Sequence, residues 1–397
     1  MATPVFACGF ECGIPTAGQH WAASGQNIAT FDTGTVRSGL RSGKTSASIA
    51  GTSFFRSTVV LFGPGSANIF VCRVYVYFST LPSADTPIVQ LVSRLAGAYF
   101  KQADSKIYAT ANGTGLGATG VSVTTGIWYR IDVKVNISAN PWTADVQVDD
   151  AACGQHTNAE AANTYVQFDV GFTSTAVATI YFDDFLLSLT AADYPLGDGY
   201  ILSYIPNADG THDIAGANDV ERTLTGTDIT NATTTAYQLV DDRPMESVST
   251  DFINFKTAAL RVEIAYEDSV EAVAPRSVEA IVGYHDASGA GTHNFSVTLR
   301  DSGGGTTADI MAAATRNVGA TMSWGRAHFT TIPGGGAWTL AAFNALRSRI
   351  AVTDASPDVY IDGLMLEAEY AALVLDIGGE HPITEWPMRR RLMVLAH

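Results

Sequence analysis

A β-sandwich glycosidase needs two carboxylates on one strand face, commonly spaced Glu-x-Asp-x-x-Glu, because alternate residues share a face and flank the sugar as acid and nucleophile. The nearest approach here is Glu267-Asp268-Ser269-Val270-Glu271, where Glu267 and Asp268 are adjacent and face opposite sides. Asp149-Asp150 and Asp183-Asp184 are adjacent too, a spacing suited to turn hydrogen bonds rather than acid–base work. No Gly-x-Ser-x-Gly elbow occurs, and none of the eight histidines forms His-x-His or His-x-x-x-His. His285 and His293 flank a turn that would bring them across a hairpin as two metal ligands; polar hairpin shoulders are the plainer reading. Calcium would draw on Asp145, Asp149, Asp150, Asp183 and Asp184, which lack EF-hand spacing. Between Ser38 and Thr45, Gly39 and Gly43 have three residues between them where a phosphate loop needs four, so the segment reads as a sandwich turn.

Sugar binding would instead use exposed aromatic faces, and six tryptophans are candidates: Trp21, Trp128, Trp142, Trp324, Trp338 and Trp386. Trp128 falls inside a strand pattern and reads as core. Trp142, in the turn Ala139-Asn-Pro-Trp-Thr143, is the loop-like one and the candidate glycan-binding residue. Cys8 and Cys12, if on one strand, are ~13 Å apart, beyond the Cα reach of about 7 Å for a disulfide. Cys72 and Cys153 lack a close partner in sequence, so reduced core thiols are favoured over a four-cysteine zinc site.

The elements that would hold these groups are strands. Charged residues make up 16% of the 397-residue chain, against roughly 25% in an ordinary soluble domain. Only five of the 23 basic residues are lysine, while Thr, Ser, Ala and 37 Gly abound, which disfavours surface helices and favours strands joined by polar turns. Residues 69–78 form an unbroken β-branched and aromatic run, expected as a central buried strand. Further strands are expected at 57–62, 87–93, 97–102, 106–110, 127–137, 143–149, 165–173 and 178–189. Beyond a turn-rich stretch they resume at 258–267, 276–284, 293–300, 307–312, 324–331 and 358–370. Two short helices are expected, 216–225 and 339–347, the latter capped by Thr339. Tyr181-Phe182-Asp183-Asp184-Phe185-Leu186-Leu187 is echoed 179 residues later by Tyr360-Ile361-Asp362-Gly363-Leu364-Met365-Leu366, as if two related sandwiches each closed on one inner strand.

Formal net charge is 23 − 39 = −16, a poor match to nucleic acid. No apolar run reaches the ~18 residues of a membrane span, and no signal peptide is readable. Arg389, Arg390 and Arg391 stand apart, giving a +3 tail on a body of 20 − 39 = −19. With Trp386, Leu392 and Val394 they make a segment suited to docking as an added strand on a neighbour.

The first half resembles a concanavalin A-like or laminin G-like jelly roll. The resemblance is carried by Gly9-Phe10-Glu11 with Trp21, by Arg37-Ser38-Gly39-x-Arg41-Ser42-Gly43, by Gly126-x-Trp128-Tyr129-Arg130-Ile131, and by Tyr181-Phe182-Asp183-Asp184. It implies that the opening and closing strands lie side by side. Asp193-Tyr194-Pro195-Leu196-Gly197-Asp198-Gly199 followed by Pro206-Asn207-Ala208-Asp209-Gly210-Thr211-His212 resembles a linker of structural proteins of tailed bacteriophages, which implies a virion component with no catalytic residues to carry over.

The expectation is an all-β chain of two tandem antiparallel β-sandwich domains of lectin or glucanase type. A jelly roll spans 1–192, a linker 193–215, a second sandwich 216–372, and an extended docking tail 373–397. The expected role is a non-enzymatic virion protein, a capsid decoration, minor capsid or tail accessory component. It would act as a homo-oligomer through contacts with other virion proteins such as major capsid or tail proteins, assembled in the host bacterial cytoplasm, with no nucleic acid or membrane partner. The alternative is a lectin-like carbohydrate-binding module for host adhesion; a glycoside hydrolase is the remote one. No cofactor is expected, calcium aside.

Overall fold

The computed structural model describes residues 4–11, 21–27, 29–57, 68–91, 96–113, 115–161, 167–213, 220–221, 235–241, 252–255, 260–286, 290–301, 306–319, 322–352 and 359–372. The tail residues Trp386, Arg389, Arg390, Arg391, Leu392 and Val394 lie outside them, as do Cys12 and most of 57–62.

The first half supplies β1 (Pro4–Cys8), β2 (Trp21–Gly25), β3 (Thr30–Asp32), β4 (Ser42–Ser57), β5 (Ile69–Thr80), β6 (Thr86–Leu91) and β7 (Ala96–Lys101). It continues through β8 (Lys106–Thr110), β9 (Val121–Ser122), β10 (Trp128–Asn136), β11 (Trp142–Val148), β12 (Ala151–Asn158) and β13 (Phe168–Ser188). These pair as one antiparallel sheet that wraps around a shared core, with order β12-β11-β10-β5-β13-β6-β7-β8-β9 and β1 to β4 attached at β13 and β4. β5 is central, between β10 and β13, as its apolar run predicts. β1 pairs β13, so the opening and closing strands are neighbours. The core is aromatic: Trp21 meets Phe168 and Phe185 edge-on at 5.3 and 5.2 Å, and the latter two stack at 4.9 Å.

The second half supplies β14 (Gly199–Tyr204), β15 (Pro206–Asp209), β16 (Val220–Glu221), β17 (Ile253–Phe255), β18 (Leu260–Tyr266) and β19 (Ser277–Asp286). After these come β20 (Ala290–Arg300), β21 (Thr307–Gly319), β22 (Ser323–Phe329), helix α1 (Leu340–Asn344), β23 (Arg347–Val352) and β24 (Val359–Ala371). A six-stranded sheet, β16-β17-β24-β19-β22 with β14 on β24, faces a five-stranded one, β15-β18-β23-β20-β21, across a second core. The fold is thus all-β and antiparallel. The two echoed segments lie in β13 and β24, each paired on both sides. Thr339 caps α1, its hydroxyl accepting the Ala342 N–H at 3.0 Å.

Three segments differ from expectation. Residues 193–215 contribute β14 and β15, because Gly199–Tyr204 has β24 as a partner and Pro206–Asp209 has β18. Within 216–225, Val220–Glu221 is a strand pairing β17. The turn expected through Thr45 ends at Arg41, and Ser42–Ser57 runs on as β4 along β13.

The halves meet across β1. Among the described residues its outer edge has no further strand; instead glutamates of the second half receive the backbone, Glu279 Oε2 from Ala7 N–H at 3.3 Å and Glu367 Oε1 from Gly9 N–H at 3.1 Å. Arg73, buried on β5, donates to Glu369 at 3.2 Å, and the Arg326 guanidinium lies 4.1 Å over the Phe6 ring. Glu279 also meets Arg326 and His328, at 3.2 and 2.8 Å. Burial, reinforced by Glu11 and Glu279 nearby, pushes the Glu367 carboxyl well above the usual range. A carboxyl that keeps its proton to higher pH when folded contributes stability that is full below the ordinary carboxylate range and declines as pH climbs through its raised value. Glu367→Gln, neutral at every pH, is therefore expected to unfold at higher temperature than wild type at pH 8 and to show a smaller fall between pH 5 and 8. Equal falls in thermal-unfolding scans would contradict this.

Candidate functional site

Strand parity assigns each side chain of the central strands to one of two faces. On β10, Tyr129, Ile131, Val133 and Val135 enter the core, which turns Trp128, Arg130, Asp132 and Lys134 outward. On β5, Phe70, Cys72, Val74, Val76 and Phe78 point inward, leaving Arg73, Tyr75 and Tyr77 outside. β13 would lose this register without a bulge at Asp184, which has φ 50°. The bulge lets Phe182 and Phe185 both reach the core, with Asp183 and Asp184 between them outside it.

Cross-strand pairing converts this parity into rows. Trp128 stands opposite Tyr77, Tyr77 opposite Tyr181, and Tyr181 opposite Lys44, so one row crosses β10, β5, β13 and β4. Ring centroids are 5.5 Å apart for Trp128–Tyr77 and 5.9 Å for Tyr77–Tyr181, with interplanar angles of 50° and 75°. Lys44 Nζ ends the row 5.4 Å from the Tyr181 centroid and pairs with Asp32 at 3.4 Å. Trp128, Tyr77 and Lys44 are partly exposed. Beside them lies the hydroxyl pair Ser46 and Thr179, 3.0 Å apart.

The next row, Arg130–Tyr75–Asp183, is closed rather than open. Arg37 lies 3.3 Å above the Tyr75 ring and donates to Asp184 at 2.5 Å. Tyr75 hydrogen-bonds Asp198, and burial pushes its phenol well above the usual range. Arg130 Nε donates to Asp132 at 2.8 Å, its other arm reaches Asp150, and its backbone N–H donates to Asp149 at 2.8 Å. Asp183 accepts the N–H groups of Arg37 and Ser38, at 2.9 and 3.2 Å. Burial first, then Asp184 and Glu11, raises its carboxyl well above the usual range.

The glycine loop is explained by the same chemistry. Glu11 Oε1 accepts from the N–H groups of Leu40 and Arg41 at 2.6 and 3.1 Å, and a Cβ on Gly39, at φ +66°, would sit 1.9 Å from that oxygen. The loop does cradle acidic groups, but these are the protein's own Glu11 and Asp183 carboxyls.

Other expectations are corrected here. Trp142 is only 1% exposed: it opens β11, and its indole N–H donates to Ala161 O at 2.8 Å, so its face is covered by core. The two tryptophans trade places because Trp142 shares parity with Ala144, Val146 and Val148, whereas Trp128 is one residue out of phase with Tyr129 and Ile131. His285 and His293 do not converge, since β19 and β20 belong to different sheets; His285 meets Asp362 at 2.6 Å and His293 meets Asp286 at 2.9 Å. Asp149 and Asp150 form the β11–β12 turn, both at positive φ, and Asp145 pairs with Lys134 at 2.9 Å. Among the described residues no group of three or more His, Cys, Asp or Glu is placed to hold a metal. Cys8, Cys72 and Cys153 are free and buried, and burial pushes their thiols up, Cys153 to about 11.

Fold and site together define an all-β protein of jelly-roll type with an aromatic row on an outer sheet face. No protein-family model and no curated protein matches the sequence. Among solved structures, the chain is similar to the N-terminal CBM22-1-CBM22-2 tandem domain of Paenibacillus barcinonensis Xyn10C, at 11% identity and TM-score 0.28, covering 92% of this chain and 98% of that one. It is similar to domain 4 of AbnA, a GH43 extracellular arabinanase from Geobacillus stearothermophilus, at 9% identity and TM-score 0.31, covering 47% and 96%. It also matches a sialidase at 8% identity and TM-score 0.34 over 48% of this chain. The matches span only 19% of that sialidase and 34% of a Trypanosoma rangeli sialidase mutant.

The two tryptophans make opposite predictions. Trp142→Ala is expected to cost about 3–5 kcal/mol of stability, and Trp128→Ala about 1 kcal/mol, as read by urea unfolding of the two variants. A larger loss at Trp128 would contradict the assignment of faces.

Proposed function

We propose that the chain is a non-catalytic carbohydrate-binding protein that stacks sugar rings on Trp128 and Tyr77, with the buried Tyr181 ring packed behind them. The observation that carries this reading is the alignment of the three rings across adjacent strands, with Lys44, Asp32, Ser46 and Thr179 at their margin. Ring faces receive the C–H faces of a pyranose, and the marginal donors and acceptors orient its hydroxyls. A non-catalytic role is supported by the state of the nearby carboxylates. Asp132, Asp183 and Asp184 are each held by a guanidinium or by backbone N–H groups and are buried, not set across an open groove. A virion assembly role would rest on 373–397, outside the described residues, and on 193–215, which the fold uses for β14 and β15.

Titration calorimetry against a panel of neutral polysaccharides tests the proposal. At least one is expected to bind saturably, with Trp128→Ala and Tyr77→Ala each weakening it by about tenfold or more and with no reducing ends released. A folded wild-type chain that binds none of the panel, or binding indifferent to both substitutions, would remove the reading.

A further inference from the structure

The outer face of the five-stranded sheet carries a second, cationic feature remote from the aromatic row. Across β18, β23, β20 and β21 one register row reads Glu263, Arg349, Thr298, Asp309, and the next reads Ala265, Arg347, Arg300, Thr307. Arg261 lies two residues before Glu263 and so shares its face. Four arginines against Glu263, Asp309 and Asp213, the last bridged to Arg261, give this face 4 − 3 = +1, in a chain whose total is −16.

Three of these arginines converge on one carboxylate. Arg300 reaches Glu263 Oε2 at 2.8 Å, Arg349 the same oxygen at 3.2 Å, and Arg347 Oε1 at 3.2 Å. Gly210 closes the edge behind Glu263, since a Cβ there would stand 2.6 Å from the glutamate Cγ, and His212 Nδ1 accepts the Glu263 N–H at 3.4 Å. A single carboxylate cannot satisfy three guanidiniums with five donors each. The surplus is visible: Arg300 is only 6% exposed, yet its Nε is buried without a hydrogen-bond partner, as is Nε of Arg349. Burying guanidinium charge with donors unmet is costly, so Glu263 alone does not satisfy the cluster. Arg347 and Arg349, at 29% and 28% side-chain exposure, open it to solvent.

We propose that this cluster is a binding site for a compact oxyanion, a carboxylate or sulfate, which the planar forks of Arg347 and Arg349 grip while Glu263 holds the arginines in register. Nucleic acid is a poor fit, because one localised cluster on an acidic chain provides no track for successive phosphates. The site goes beyond the aromatic row and does not depend on it.

Calorimetric titration of the full chain with sodium sulfate, at ionic strength held constant with sodium chloride, tests the proposal. Saturable sulfate binding is expected, together with a rise in unfolding temperature that chloride does not produce. Arg349→Gln is expected to weaken binding by about tenfold. An oligogalacturonide binding more tightly than sulfate would identify an acidic saccharide as the carrier of the anion; equal or weaker binding would identify the free oxyanion. Absence of saturable sulfate binding by folded wild type overturns the proposal whatever the variants do. So does binding unchanged in both Arg349→Gln and Arg347→Gln.

Discussion

Buried carboxylates that accept backbone N–H groups hold this molecule together. Glu279 and Glu367 take the N–H groups of Ala7 and Gly9, and Glu11 and Asp183 take those of the loop from Arg37 to Arg41. Each is an exchange of water for a peptide donor, and it resolves a specific difficulty. The outer edge of β1 would otherwise stay unpaired, as an open template for another strand, and the loop would turn its donors into a protein interior. Carboxylates from the other half of the chain close that edge without requiring a further strand.

The same interactions position the aromatic site. With Asp183 and Glu11 fixing the loop backbone, Arg37 is delivered onto the Tyr75 ring and into contact with Asp184. That closes the Arg130–Tyr75–Asp183 row, and Asp198 and Gly199 seal it from the side of the second half. One sheet face is thereby divided. Its charged portion is neutralised and covered, while Trp128, Tyr77 and Lys44 of the row beside it keep partial exposure over a buried Tyr181. The bulge at Asp184 is essential to the division, because without it the residues of β13 beyond Asp183 would exchange core and surface.

Much of this was legible in residue order. The unbroken apolar run over 69–78 and the alternation over 128–136 specify strands, and the alternation, read one residue at a time, also specifies faces. Trp128 precedes Tyr129, Ile131, Val133 and Val135 by an odd step, so it had to lie opposite them. Trp142 leads Ala144, Val146 and Val148 by even steps, so it had to lie with them, despite its turn-like setting beside Asn140-Pro141. Treating turn neighbours as a sign of exposure reversed the two. The turn chemistry of 193–215 likewise concealed β14 and β15, because Gly, Pro and Asp there shape the ends of strands whose partners are distant in sequence.

Local order therefore determined the all-β character, the capped helix at Thr339, and which side chains share a strand face. All of these depend on periods of a few residues. Tertiary structure alone decided which strands became neighbours. Tyr77 and Tyr181 are more than a hundred residues apart, and Arg300 and Arg349 meet at Glu263 only because β18, β23 and β20 pair in that order. Register between distant strands is set by the packing of whole faces, to which no single stretch of sequence holds the key.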